Sequence, residues 1–290
     1  ASEHADLDRL LADTQAICSQ EIAFWHGRKK PPFSRYVFLL NVVEDGYGGL
    51  EHRDSTALIC SRKDLPRRDH QDTQSEGYTT LLGLISHEYF HTWNVKRLKP
   101  IEFAPYDYTR ENHTEMLWFF EGFTSYYDDL FLLRAGLIKP ADYLKLLNKP
   151  INQVLSTPGR LQQSVAQASH DAWTRYYRPD ENTANSTVSY YTKGSLVALC
   201  LDLSLRTGPA RDDGTTPHLD GVMRRLWALQ RPITESDVID ALEAESTEPP
   251  AHGADWASVI HDWVHGVGEL PLQTLLAQVG VSWTAKKPSL

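Results

Sequence analysis

Leu7, Leu10, Leu11, Ile17 and Ile22 recur near helical spacing and predict an amphipathic helix over 5–23. Lys29-Lys30-Pro31-Pro32 ends that pattern, and Tyr36 to Val43 follows as a predicted buried strand. Beyond the turn residues 45–49, Leu50 to Cys60 alternates and reads as one partly exposed strand, while 62–77 is charged and turn-rich, a loop. From Tyr78 onward the period is helical, over roughly 78–96, 114–135, 140–148, 193–206, 218–229, 234–245 and 255–265, with prolines falling between segments. Strands first and helices after predict an α+β fold with segregated parts. The expected organisation is one domain over 1–281, its sheet part about 1–65 and its helical part about 78–281, followed by a tail or linker stub over 282–290.

Composition narrows the class. Of 290 residues, 41% are hydrophobic and 23% charged, a globular balance that excludes a wholly disordered chain. Lys and Arg number 29 against 38 Asp and Glu, a net charge of -9 that argues against a nucleic-acid partner. No apolar run reaches about 18 residues, so no membrane span is predicted. The opening ASEHADLDRL does not read as a signal peptide, which favours a cytoplasmic over a periplasmic or secreted location. Cys18, Cys60 and Cys200 have no CxxC spacing, so buried free thiols are expected rather than disulfides or a thiolate metal site.

The sharpest chemical signal is His87-Glu88-Tyr89-Phe90-His91 on a predicted helix. Residues four apart share a helical face, so both imidazoles can reach one metal ion, and Glu88 stands where it can take a proton from water on that ion. The preceding Tyr78 to Ser86 is almost wholly uncharged, so the helix should be buried. Two histidines and a glutamate buried together need partners or a metal. One zinc ion per chain is the expected cofactor.

A zinc ion that works in catalysis usually has three protein ligands and one open position. Glu121 is the best third ligand: it lies inside the apolar run Met116 to Tyr127, where a lone carboxylate is costly unless a cation holds it. Glu111 and Glu115 compete, but sit in the polar stretch 110–115, read as the exposed start of the same helix. Asp128, two turns beyond Glu121, is a weaker candidate for orienting a ligating histidine.

These strings resemble known enzymes. HExxH followed by a Glu in the setting Glu121-Gly122-Phe123-Thr124-Ser125-Tyr126-Tyr127 is similar to the gluzincin, thermolysin-like zinc peptidases. At the aminopeptidase N spacing the Glu ligand would fall on Arg110, so an insertion is expected, with 95–105 its natural place. Gly48-Gly49-Leu50-Glu51-His52 is placed like the G-x-M-E-N strand of those enzymes. The resemblance implies that Glu51 holds the α-amine of a peptide substrate, with Gly48 and Gly49 in the substrate-binding strand. Tyr191-Thr192-Lys193-Gly194 resembles their Y-x-K-G motif and implies that Tyr191 stabilises the oxyanion; Tyr190, next to it, competes for that role. The combination GGLEHRDST, HEYFHTWNVKR and ENHTEMLWFFEGFTSYYDDL resembles peptidase family M61, the glycyl aminopeptidases, over about 5–281.

The resemblance implies a thermolysin-like zincin domain acting on peptide N-termini, with small residues such as Gly or Ala preferred. His87, His91 and Glu121 would hold zinc, with Glu88 and Tyr191 catalytic. Members of the family carry an N-terminal β domain and a C-terminal PDZ domain, so this chain is expected to be the catalytic portion alone. Two other readings stand beside it: a zinc endopeptidase with a cleft open past Glu51, and a peptide-binding scaffold without turnover.

Overall fold

The computed structural model describes residues 4–70, 74–250 and 255–284. The chain order is α1 (Leu7–His26), β1 (Val37–Val43), β2 (Tyr47–Glu51), β3 (Ser55–Ser61), α2 (Glu76–Phe90), α3 (Leu117–Phe120), α4 (Gly122–Arg134) and α5 (Pro140–Ser156). Then come α6 (Val165–His170), α7 (Thr183–Ser186), α8 (Thr192–Arg206), α9 (Leu219–Ala228), α10 (Glu235–Glu245), α11 (Trp256–Ile260) and α12 (Leu272–Gln278). This is the α+β arrangement expected, a small early sheet followed by helices. The chain divides into two compact units, 1–99 with 124–149, and 100–123 with 150–290.

In the first unit, Asp6 caps α1 by accepting from Arg9 N at 3.1 Å, and Ser75 caps α2 by accepting from Tyr78 N at 3.0 Å. The sheet order is β1-β3-β2, with β1 parallel and β2 antiparallel to the central β3. Phe38, Leu40 and Val42 face a core built from Ile17, Leu58, Cys60, Leu81, Leu82 and Ile85. An aromatic group then ties three helices together: Phe24 of α1 lies 5.8 Å from Phe90 of α2, and Phe90 stacks on Tyr127 of α4 at 5.2 Å. Such pairs contribute about 0.5–1.5 kcal/mol each beyond their buried area. Because Phe90 adjoins His91 and Tyr127 adjoins Asp128, this packing fixes the register of α4 against α2.

In the second unit, α8 is buried along nearly its whole length and packs against α3, α9 and α12. Gly122 and Gly194 make the closest approach there. A Cβ on Gly122 would lie 2.5 Å from the Gly194 carbonyl carbon, so the two backbones touch directly.

Several expectations are corrected. Leu50 to Cys60 is two strands, because His52 to Asp54 turn the chain back on itself. β1 is not buried on both faces: Leu39 is 59% exposed. An apolar run fits either a central or an edge strand, and neighbours decide which. α2 ends at Phe90 rather than 96, and the helix expected over 114–135 starts at Leu117 and breaks at Glu121. α5 runs through Pro150 to Ser156, past the proline expected to stop it, and α6, α7 and α12 form where no helix was predicted. Among the described residues, no helix is long and apolar enough to cross a membrane, and the three cysteines are free thiols.

Candidate metal centre

His87 lies in the last turn of α2 and His91 caps its C-terminus, so one helix end presents both rings. His91 Nδ1 lies 2.8 Å from the Asn94 carbonyl oxygen, which can only accept, so Nδ1 carries the proton. His87 Nδ1 donates in the same way to Asp128 Oδ2 at 3.0 Å. In both neutral rings the lone pair is therefore on Nε2, and these two Nε2 atoms face each other at 3.1 Å. Two lone pairs at that distance repel unless a cation takes both. Two nitrogens each about 2.0–2.1 Å from one tetrahedral zinc would be about 3.3 Å apart. The donor set thus fits a zinc ion.

Glu121 is the expected third ligand, and His87, His91 and Glu121 are a group that could hold a metal ion. Glu121 terminates α3, its N–H donating to Leu117 O at 2.7 Å, and the chain enters α4 immediately after it. Trp118, Phe119, Phe120 and Phe123 around it are fully buried. Glu111 and Glu115 are exposed and lie before the helix, not within it.

The loop after His91 is held under strain. Val95, a β-branched residue, has φ 111, a conformation that costs on the order of 1–3 kcal/mol. Val95 N donates to Leu98 O at 2.8 Å and Lys96 N to His91 O at 3.1 Å, and this tight turn carries the Asn94 carbonyl that His91 uses.

Glu88 is 5% exposed and packs against β2. A Cβ on Gly49 would meet the Glu88 carboxylate at 2.2 Å, so glycine is what lets the strand come this close. Strand periodicity puts Tyr47, Gly49 and Glu51 on that face, with Gly48 and exposed Leu50 on the other. Tyr47, not singled out by sequence, is 65% exposed, and only the desolvation of its hydroxyl end, followed by the Asp128, Asp129 and Glu88 charges, pushes the phenol up. Glu51 Oε1 pairs with Lys96 Nζ at 3.0 Å.

Tyr191 stands at the N-terminus of α8, with its hydroxyl 3.2 Å from that of Tyr177. Burial first, and then the Glu121 carboxylate, push its phenol far above the usual range, so it remains a proton donor. Tyr190 is 1% exposed and stacked on Tyr191. The Gly122–Gly194 contact fixes the Glu121 and Tyr191 strings to one another.

Asp128, weak on sequence grounds, is the carboxylate that grips His87. Burial raises its pKa, and the hydrogen bond to His87 opposes that rise. Its neighbour Asp129 is pushed up to about 8 by burial and the Asp128 charge. Glu21 was missed altogether, since a single acid on an amphipathic helix reads as a surface residue.

Residues 80–197 match the M61 glycyl aminopeptidase family. An aminopeptidase N family protein from Idiomarina loihiensis has a similar structure, with TM-score 0.85 and 42% sequence identity over 94% of this chain. The chain spans 45% of that protein's length. None of the curated proteins matches the sequence. The matched segment contains His87, Glu88, His91, Glu121 and Tyr191, and over those residues the chain is similar to peptidase family M61.

Proposed function

We propose that the chain is a zinc-dependent aminopeptidase that releases N-terminal residues from peptides, with Gly and Ala preferred as the resemblance to M61 implies. The observation that supports this most is the pair of Nε2 atoms at 3.1 Å, each ring's Nδ1 already committed, on the helix that also carries Glu88. Bound by His87, His91 and Glu121, zinc would polarise the scissile carbonyl and acidify water. Glu88 takes the proton of the attacking water and returns it to the leaving amine. Tyr191, kept protonated by its burial, donates to the oxyanion. Glu51 receives the substrate ammonium, sharing its charge with Lys96.

That same Lys96–Glu51 pair favours a second reading, a zinc endopeptidase, because a carboxylate already neutralised has less need of a substrate amine. The test is hydrolysis of Gly- and Ala-p-nitroanilide beside an N-acetylated peptide, with zinc content assayed, for wild type and Glu88→Gln. Cleavage confined to free-amine substrates, lost in Glu88→Gln with zinc retained, is expected. Cleavage of the acetylated peptide supports the endopeptidase instead, and zinc without turnover of either substrate leaves a binding scaffold.

A further inference from the structure

Glu21 is a carboxyl group with no exposed surface, set on α1 behind the helix that carries the two histidines. Its Oε1 lies 3.0 Å from Ser86 Oγ, and Ser86 Oγ lies 2.9 Å from the backbone carbonyl oxygen of Asp128. A serine hydroxyl has one proton, and the Asp128 carbonyl has none to give. Each contact has a proton of its own, rather than sharing one hydroxyl proton between two acceptors, if the second proton comes from Glu21. The proton order is then fixed: Glu21 carboxyl to Ser86 Oγ, and Ser86 hydroxyl to Asp128 oxygen.

The surroundings agree with a neutral acid. Glu21 Oε2 meets no hydrogen-bond partner among the described residues, which a buried anion would not tolerate and a neutral carboxyl tolerates at lower cost. Burial raises the Glu21 pKa well above the usual carboxylate range, with Ser86 opposing and Asp128 adding to the rise. Ile17, one turn away on α1, is fully buried, as is Ser86 itself.

We propose that Glu21 is a protonated carboxylic acid and a positioning residue of the metal centre. It holds Ser86, Ser86 holds the backbone of Asp128, and the Asp128 carboxylate holds His87 in the orientation that leaves Nε2 for the metal. The inference rests on the reading of His87 as a zinc ligand. Groups that orient a metal-binding histidine typically change metal affinity about 10–100-fold when removed.

The experiment measures zinc dissociation constants by competition with a chromophoric chelator for wild type, Glu21→Gln, Glu21→Leu, Ser86→Ala and His87→Ala, alongside the melting temperature of each zinc-free protein. A glutamine amide N–H can donate to Ser86 as the acid does, so Glu21→Gln keeps zinc affinity within about threefold of wild type. Glu21→Leu and Ser86→Ala weaken it about tenfold or more, beyond any change in zinc-free stability. If Glu21→Leu does not fold, Ser86→Ala carries the same comparison. Zinc binding lost equally in Glu21→Gln and Glu21→Leu makes Glu21 an anion and overturns the proposal. So does wild-type affinity in both Glu21→Leu and Ser86→Ala. A wild-type protein whose zinc affinity matches that of His87→Ala overturns the metallopeptidase reading, and this inference with it.

Discussion

Replacing Gly49 by Ala isolates the position of one carboxylate. The new methyl carbon would begin 2.2 Å from Glu88 Oε1 and 2.5 Å from its Cγ, and ordinary contact requires at least 3.4 Å. β2 cannot retreat without breaking its pairing with β3, where Gly49 faces Leu58. The end of the Glu88 side chain therefore moves by about 1.2 Å, the difference between 3.4 and 2.2 Å. A displacement of that size at a reacting group costs about 100-fold in rate, or about 2.7 kcal/mol of transition-state stabilisation. Stability should fall modestly, because what yields is a buried side chain, Cγ included, and not backbone. The assay is kcat on Ala-p-nitroanilide with zinc content and melting temperature from the same preparation. The expected result is kcat down about 100-fold, zinc unchanged and the melting temperature within a few degrees. A Gly49→Ala enzyme within threefold of wild-type kcat would refute the assignment of Glu88 as the base held against β2.

Gly122→Ala meets backbone instead of a side-chain end, at 2.5 Å, and should destabilise by about 1–3 kcal/mol, seen as a melting temperature several degrees lower. Tyr191→Phe removes the proposed oxyanion donor; kcat should fall about 10²–10³-fold with zinc content intact, and a fall below tenfold would exclude that role. Asp237 is held down to about 2, first by the Arg231 hydrogen bond, and against about 3.9 when unfolded its contribution is complete above pH 4 and lost as pH falls toward 2. The stability gap between wild type and Asp237→Asn should therefore shrink across that window, and a constant gap would show that the Arg231 pair does not act through charge. Lys96→Met removes the Lys96 charge that competes with a substrate ammonium at Glu51 and should lower KM for free-amine substrates alone; an equal effect on acetylated peptides would remove Glu51 from amine recognition.

Much of the site could be read from the chain because helical spacing and burial cost are local properties. HExxH places two rings on one face whatever surrounds it, and a Glu amid Trp118, Phe119 and Phe120 is anomalous on its own. The parts that escaped are those defined by long-range partners. Asp128 gains its role from α4 packing beside α2 through Phe90 and Tyr127, and Glu21 from Ser86, 65 positions away. The early end of α2 follows from the turn through Val95, whose φ no propensity suggests. The break at Glu121 and the exposed face of β1 likewise depend on what packs beside them.

The Gly122–Gly194 contact has a consequence for how such a protein can be redesigned. The ligand-bearing junction and the tyrosine-bearing helix meet through bare backbone, so they behave as one machined part made from two distant strings. The exposed turns between α5 and α7 can lengthen or shorten so long as the two glycines still meet and α4 keeps Asp128 against His87. A graft that carried the metal ligands without the Tyr191 helix would deliver half of a joint. A graft that carried both strings with their glycines would bring its own alignment.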